Sequence, residues 1–433
     1  MVRPLRSSAI AFAISLGLTV FPSGPGFSQS PEYTNALNRM VARPQDPEAA
    51  FQFAQVASAE GRFREAITAL ERVLILFPDL ANIKLELGVL YLRLGQSAIA
   101  ERFIREAIAS PDAPPEVQAR AAELLEIAEL GNQRFVVANT VSTGVTFDTN
   151  ANFGPETGVI PDDTGQSDGS IFARISSRFS YDLGYQEGHR LIGGIDLSTR
   201  HYFEQSRLDS QRVGLSFGAA FNAAGDSTRP ATFSATLDGA YYWRDGEEYL
   251  SEIGPTFSYA FGLSDETSAE VSAYYRDQNF INTATVTAND LRDGHIMGVA
   301  ARVRHTLSET DALTFGSTFA QKDAEAGFEA YDEVAVTASY TTIRPGLLDI
   351  GGDDWRYGVR ARFGMQDYAE ADPAAPILDR EEVNSYFLAG SAEIPFENDL
   401  SVLVEVGVNG TSSNYDFNDF DNEFISFTLT KSF

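Results

Sequence analysis

Arg174, Arg178, Arg190, Arg200, Arg212, Arg302, Arg304, Arg356, Arg360 and Arg362 fall at alternate positions of segments whose intervening positions are largely apolar. A two-residue period sends successive side chains to opposite faces of a strand, so these guanidinium groups share one face and turn away from the oily one. A guanidinium keeps its charge and offers five donors. A row of them can attract anions or acidic segments, and the same row paired with acids makes ladders that stiffen the structure. Asp196, Asp238, Glu252, Glu270 and Glu405 have the same parity, fewer in number, and leave both outcomes open.

Other residues of chemical interest are weaker. Gly214-Leu215-Ser216-Phe217-Gly218 satisfies the nucleophile-elbow string, but that elbow needs a strand turning sharply into a helix. Ser216 instead sits inside an alternating strand pattern, so no catalysis is expected and the chain is read as a non-enzyme. His189, His201, His295 and His305 lack metal-ligand spacing. Asp148-Thr149-Asn150-Ala151-Asn152-Phe153-Gly154 resembles an oxygen-ligand calcium loop, but its glycine is one place late and no bidentate acid follows, which favours a polar loop of Asx turns. With no cysteine in the chain, disulfides and thiolate metal sites are excluded. No cofactor is expected. The net charge of -29 excludes a nucleic-acid partner, which would need basic patches, and acids such as Pro161-Asp162-Asp163 and Asp416 to Asp421 read as solvated loops.

The arginine face demands strands. Ile425, Phe427, Leu429 and the terminal Phe433 share one face of the last strand, with Ser426, Thr428, Thr430 and Ser432 on the other. A two-residue period ending on an aromatic marks the closing strand of an outer-membrane β-barrel. The alternation recurs back to residue 134 and gives about fourteen strands, with lipid-facing sets such as Val213, Leu215, Phe217, Ala219 and Phe221. Tyr241, Trp243, Trp355 and Tyr357 fall at strand ends, as interfacial girdles do. Short connections (184–188, 262–266, 308–311, 395–399) largely alternate with long ones (148–170, 280–291, 368–379, 409–421). An even strand count brings both barrel ends to the short-turn side. The connection 344–354 departs, being long where parity asks for a short turn.

Upstream, the composition turns to Ala, Leu and Glu, and a 34-residue period relates Gly61 to Gly95, Ala66 to Ala100 and Val73 to Ala107, the length of a tetratricopeptide unit. The second unit carries Leu87-Gly88-x-x-Tyr91, and small residues at such points let helices approach closely. Leu87 and Tyr91 are the candidate client-binding groove. A capping helix over about 115–130 is predicted to pack through Ala119, Ala122, Leu125 and Ile127 and to stop at Gly131. Residues 1–28 read as a secretory signal peptide, with Arg3 and Arg6, an apolar core, and small residues before Gln29. The organisation expected is an α + β multidomain chain: signal peptide 1–28, linker 29–45, tetratricopeptide-like periplasmic domain 46–131, and an antiparallel transmembrane β-barrel over 134–433.

Signal, repeat array, the run Phe147-Asp148-Thr149-Asn150-Ala151-Asn152 and the ending Ser426-Phe427-Thr428-Leu429-Thr430-Lys431-Ser432-Phe433 together resemble the surface lipoprotein assembly modifier family. That resemblance implies a fourteen-stranded outer-membrane barrel whose periplasmic repeats help a client protein or lipoprotein reach the cell surface. The partners expected are outer-membrane lipid, the client, and the barrel-assembly machinery through the last strand. The array here is shorter than is usual for the family. Exporters of anionic polysaccharide also join helical repeats to arginine-lined barrels and are the alternative. A diffusion porin is a third, and it leaves the repeat domain without a purpose.

Overall fold

A computed structural model describes residues 30–433 apart from 111–112, 132–133, 156–163, 185–187, 224–228, 376–378 and positions 285, 349 and 353. The signal peptide and the acids at 161–163 lie outside the described residues.

Among the described residues six helices come first: α1 (Pro31–Ala42), α2 (Pro47–Ala59), α3 (Phe63–Leu76), α4 (Ala81–Arg93), α5 (Ser97–Ile108) and α6 (Pro115–Gly131). Sequence reading placed 29–45 in a linker. Residues 31–42 instead form α1, begun by Pro31 at a position where its missing N–H costs nothing and capped by Ser30, whose Oγ accepts from the Tyr33 N–H at 3.0 Å. Tyr33 is buried against Phe53 of α2 with ring centroids 5.3 Å apart, so the pairing needed tertiary context that a short polar helix does not advertise.

Gly61 and Gly95, 34 residues apart, take positive φ of 75° and 72° after α2 and α4. Each turn needs this left-handed step, which glycine supplies without strain. Where α4 crosses α5, a Cβ on Gly88 would stand 2.5 Å from Ile104 Cγ1, so only glycine lets these helices meet so closely. Phe53, Ala54, Ala57, Ala66, Leu70, Leu87 and Leu90 fill one core, and Leu85, Ala100, Ile104, Ala107, Ala121 and Ala128 a second. The capping-helix expectation is corrected in phase. In α6 the inward stripe is Ala121, Leu124, Leu125 and Ala128, whereas Ala119, Ala122 and Ile127 are exposed. Alanine-rich helices carry several plausible stripes, and only the neighbour decides among them.

Fourteen strands then close an antiparallel barrel: β1 (Phe135–Asp148), β2 (Asp168–Asp182), β3 (Arg190–Tyr202), β4 (Ser210–Asn222), β5 (Ala231–Arg244), β6 (Glu247–Gly262), β7 (Thr267–Phe280), β8 (Gly294–Thr306), β9 (Asp311–Ala324), β10 (Tyr331–Pro345), β11 (Asp354–Tyr368), β12 (Glu382–Phe396), β13 (Leu400–Ser413) and β14 (Phe420–Ser432). Each strand pairs with its sequence neighbours, and β1 pairs with β14, Thr143 opposite Leu429 and Val145 opposite Phe427. Closure leaves no open edge, the condition for backbone to survive in hydrocarbon.

The apolar parity faces outward. Leu215, Phe217, Leu237, Val299, Phe315, Val359 and Leu388 are each half exposed or more, an arrangement that water would penalise and lipid accepts. Among the described residues no helix is long and apolar enough to cross a membrane. The chain is therefore an outer-membrane-type barrel carrying a tetratricopeptide-like helical domain. Several connections depart from simple alternation, among them the eight-residue span 223–230 between β4 and β5 at the short-turn end. The residues joining β5 to β6, Asp245 and Gly246 (φ 52° and 75°), form a tight hairpin at the long-loop end, a turn whose twist suits paired strands. The segment between β10 and β11, 346–353, is long at the short-turn end, as its sequence indicated.

Candidate functional site

Strand parity carries the ten predicted arginines to the inner face, and half of them, Arg178, Arg302, Arg356, Arg360 and Arg362, meet a carboxylate there. Arg178 Nη2 lies 2.8 Å from Asp196 of β3, itself steadied by Ser176. On the opposite stretch of wall, the β11 column of Arg356, Arg360 and Arg362 engages three different strands: Glu393 of β12, Glu405 of β13 (2.7 Å) and Glu333 of β10. Arg302 approaches Glu270 at 4.0 Å. Arg200 donates to Ser170 Oγ at 3.1 Å and lies over the Phe172 ring. Arg174, Arg190 and Arg304 make no ion pair among the described residues. All five acids named from sequence take part in these networks.

Arg212 joins a longer chain of bonds. Its Nε donates to the Tyr242 hydroxyl at 3.0 Å, which donates to Glu252 at 3.0 Å; Gln278 donates to Glu252, and Lys322 donates to Gln278 at 2.7 Å. Sequence reading missed Arg276, although it shares the inward parity on β7. Its Nη2 bonds Asp238 and Thr256 at 2.7 and 2.6 Å. Glu333, Glu393, Gln278 and Lys322 were missed likewise. The parity that found the arginines would have found them, because a ladder needs both signs. A cavity of about 320 Å³ opens between Arg178, Arg212, Ser216, Asp238, Glu252 and Arg276, and another of about 680 Å³ lies among Arg229, Glu270, Arg302 and Arg304 towards the short-turn end.

In the helical domain Leu87 is wholly buried and holds α4 to its neighbours. Tyr91 is half-buried, stacked on Phe103 (centroids 5.5 Å, planes 6° apart), and donates to Glu71 at 2.7 Å. Burial, and then the bond to Glu71, pushes its phenol up to about 12. Both side chains thus meet other helices of the repeat, and any client contact through Leu87 runs by way of packing.

The remaining motifs resolve into structure. Ser216 lies mid-strand in β4 opposite Asp238, with strand on both sides and no helix following. His201 contacts Asp209, His305 contacts Thr267, His189 packs on Phe221 and His295 on Tyr275, so the histidines have separate partners. Among the described residues no group of acids and histidines could hold a metal ion. In the loop after β1 the Asn150 amide donates to the Gly154 and Asp421 carbonyls while its oxygen accepts the Gly154 N–H, and Asn152 bonds Thr164 and Gln166. These side chains close turns and staple loops. At the same end Arg292 packs over Phe280, donates to Tyr249 at 2.8 Å and meets Glu329 at 3.6 Å, a carboxyl that burial pushes up. The closing residues Ile425, Phe427, Leu429 and Phe433 line the outer face, with Phe433 65 % exposed.

The tetratricopeptide repeat profile matches residues 57–124. No curated protein matches the chain. A solved structure titled bacterial polysaccharide outer membrane secretin is 9% identical with a TM-score of 0.38, over 68% of this chain and 98% of that one. The type III secretion translocator chaperone SycD of Yersinia enterocolitica is 19% identical with a TM-score of 0.21, over 23% of this chain and 70% of that one. MamA is 20% identical with a TM-score of 0.20, over 23% and 52%. The helical segment therefore carries the tetratricopeptide pattern, and no role is taken from the weaker likenesses.

Proposed function

We propose that this outer-membrane protein assists translocation or surface display of client proteins or lipoproteins, with the repeats engaging the client in the periplasm and the barrel conducting or inserting it. The supporting observation is the joint between the two parts. Helix α6 ends at Gly131 and β1 begins at Phe135, at the short-turn end. The residues between span no more than about 14 Å even when extended. A tether that short keeps the helices beside the short-turn mouth, where a client bound to them is already at the barrel. Outer-membrane lipid, the client, and the assembly machinery acting on β14 are the partners; no nucleic acid and no catalysed reaction are assigned.

Export of an anionic polysaccharide would require uncompensated positive charge along the lumen. Pairing of Arg178, Arg356, Arg360 and Arg362 with carboxylates lowers that charge and weighs against it. Deleting residues 31–131 tests the proposal: surface labelling of the client should disappear while the barrel still migrates faster unboiled than boiled. Client display that persists at normal levels would remove the repeats from the mechanism.

A further inference from the structure

Trp355 and Ile394 have the outward parity of their strands, in line with Val359 and Leu388, yet are only 4% and 7% exposed where those two are 52% and 50%. The segment between β10 and β11 covers them. Gly346 packs on the Trp355 indole so closely that a Cβ would stand 2.4 Å from Nε1; Gly351, at φ 70°, packs on Ile394, and the Gly352 N–H donates to the Pro395 carbonyl at 2.7 Å. The segment therefore folds back over the outside of the wall. Its own apolar side chains then point away from the barrel: Leu347 is 79% exposed, Leu348 64% and Ile350 47%. Asp349 lies outside the described residues.

The level is set by neighbours at outward positions. Arg344, paired with Trp355 in register, reaches Asp311 at 2.8 Å; Tyr340 donates to Asp311 and Tyr357 to the Pro345 carbonyl. Such a mixed layer of tyrosine, tryptophan and arginine belongs where hydrocarbon gives way to headgroups. Around the same rim Leu183, Leu263 and Leu307 continue the outward parity into their turns and are exposed. The apolar surface thus surrounds the barrel end, as an annulus of lipid does, whereas a protein partner would meet one sector.

We propose that Leu347, Leu348 and Ile350 form a foot that enters the lipid leaflet at the short-turn end and anchors the barrel there, a proposal that rests on the barrel being embedded in lipid. Because the chain has no cysteine, single-cysteine variants of the full chain can each carry one environment-sensitive fluorophore. Leu348→Cys, Phe217→Cys on the outer wall and Asp265→Cys in another turn would be compared in vesicles of pure phospholipid bearing nitroxides at shallow or deep positions. The foot predicts blue-shifted emission at 348, quenched most by shallow nitroxides, with 217 quenched and 265 in water. Emission at 348 that matches 265 while 217 is quenched overturns the foot alone, and so does shielding of 348 that appears only in native membranes, which assigns the patch to a protein. If 217 is unquenched as well, the embedded barrel itself fails.

Discussion

The β11 arginines that bond carboxylates are still bathed by the lumen, Arg356 and Arg360 being 58% exposed. Solvated pairs of this kind are worth about 0–1 kcal/mol each, so their larger effect is on the field that an ion meets. Changing Glu333, Glu393 and Glu405 together to Gln leaves three guanidinium groups of β11 uncompensated. Ion selectivity should shift towards anions, read as a change in reversal potential under a salt gradient. An unmoved potential would show that ions do not pass this column. Tyr91 gives a second prediction at this scale. Its phenol is raised from 10.0 to about 12 in the fold, so the folded state favours the neutral form. That contribution is complete below pH 10 and is lost as pH climbs towards 12. Helical unfolding followed by circular dichroism should be insensitive to pH near 8 and weaken above 10. Tyr91→Phe should reduce that slope; Tyr33, raised in the same direction by burial and then by Glu65, would keep part of it.

Among the elements, the junction of α4 and α5 depends on one missing methyl. A Cβ at Gly88 would press on Ile104 within the core, and overpacking of this kind costs about 1–3 kcal/mol. Gly88→Val should lower the helical melting transition and leave the barrel's heat-dependent gel shift unchanged. Legibility followed the strength of each period. Strands that alternate oily and polar residues announced their faces, so Leu215, Phe217 and Val359 were found outward as read. Helix α6 did not, because Ala119, Ala121 and Ala122 are interchangeable in pattern and only α5 selects Ala121. The loop at 148–154 looked like a ligand set because Asn and Asp serve turns and cations alike; which job they do depends on Asp421 and Gln166, distant in sequence. The groove pair Leu87 and Tyr91 shows the same limit, since a repeat signature marks residues that hold helices together.

At the scale of the whole molecule, closure concentrates the risk in the joint between β1 and β14. Every other pair of strands is joined by its own turn, whereas these two are more than a hundred residues apart and meet only once the ring is complete. The joint is carried by backbone bonds up to the last residue: the Asn139 N–H donates to the Phe433 carbonyl at 2.8 Å and the Phe433 N–H to Asn139 at 3.0 Å. The Phe433 ring adds little to the finished wall, because it is 65% exposed. Backbone and ring can therefore be separated by experiment. Phe433→Ala keeps both hydrogen bonds and should leave the unfolding temperature of barrel refolded in detergent unchanged, while assembly in cells slows if the ring is what the assembly machinery reads. Deleting 425–433 removes most of β14, leaves β1 and β13 with unpaired edges in hydrocarbon, and should abolish the heat-dependent gel shift in both settings. If Phe433→Ala lowers the unfolding temperature as much as the deletion does, the terminal ring is part of the wall and its assignment to a partner is wrong.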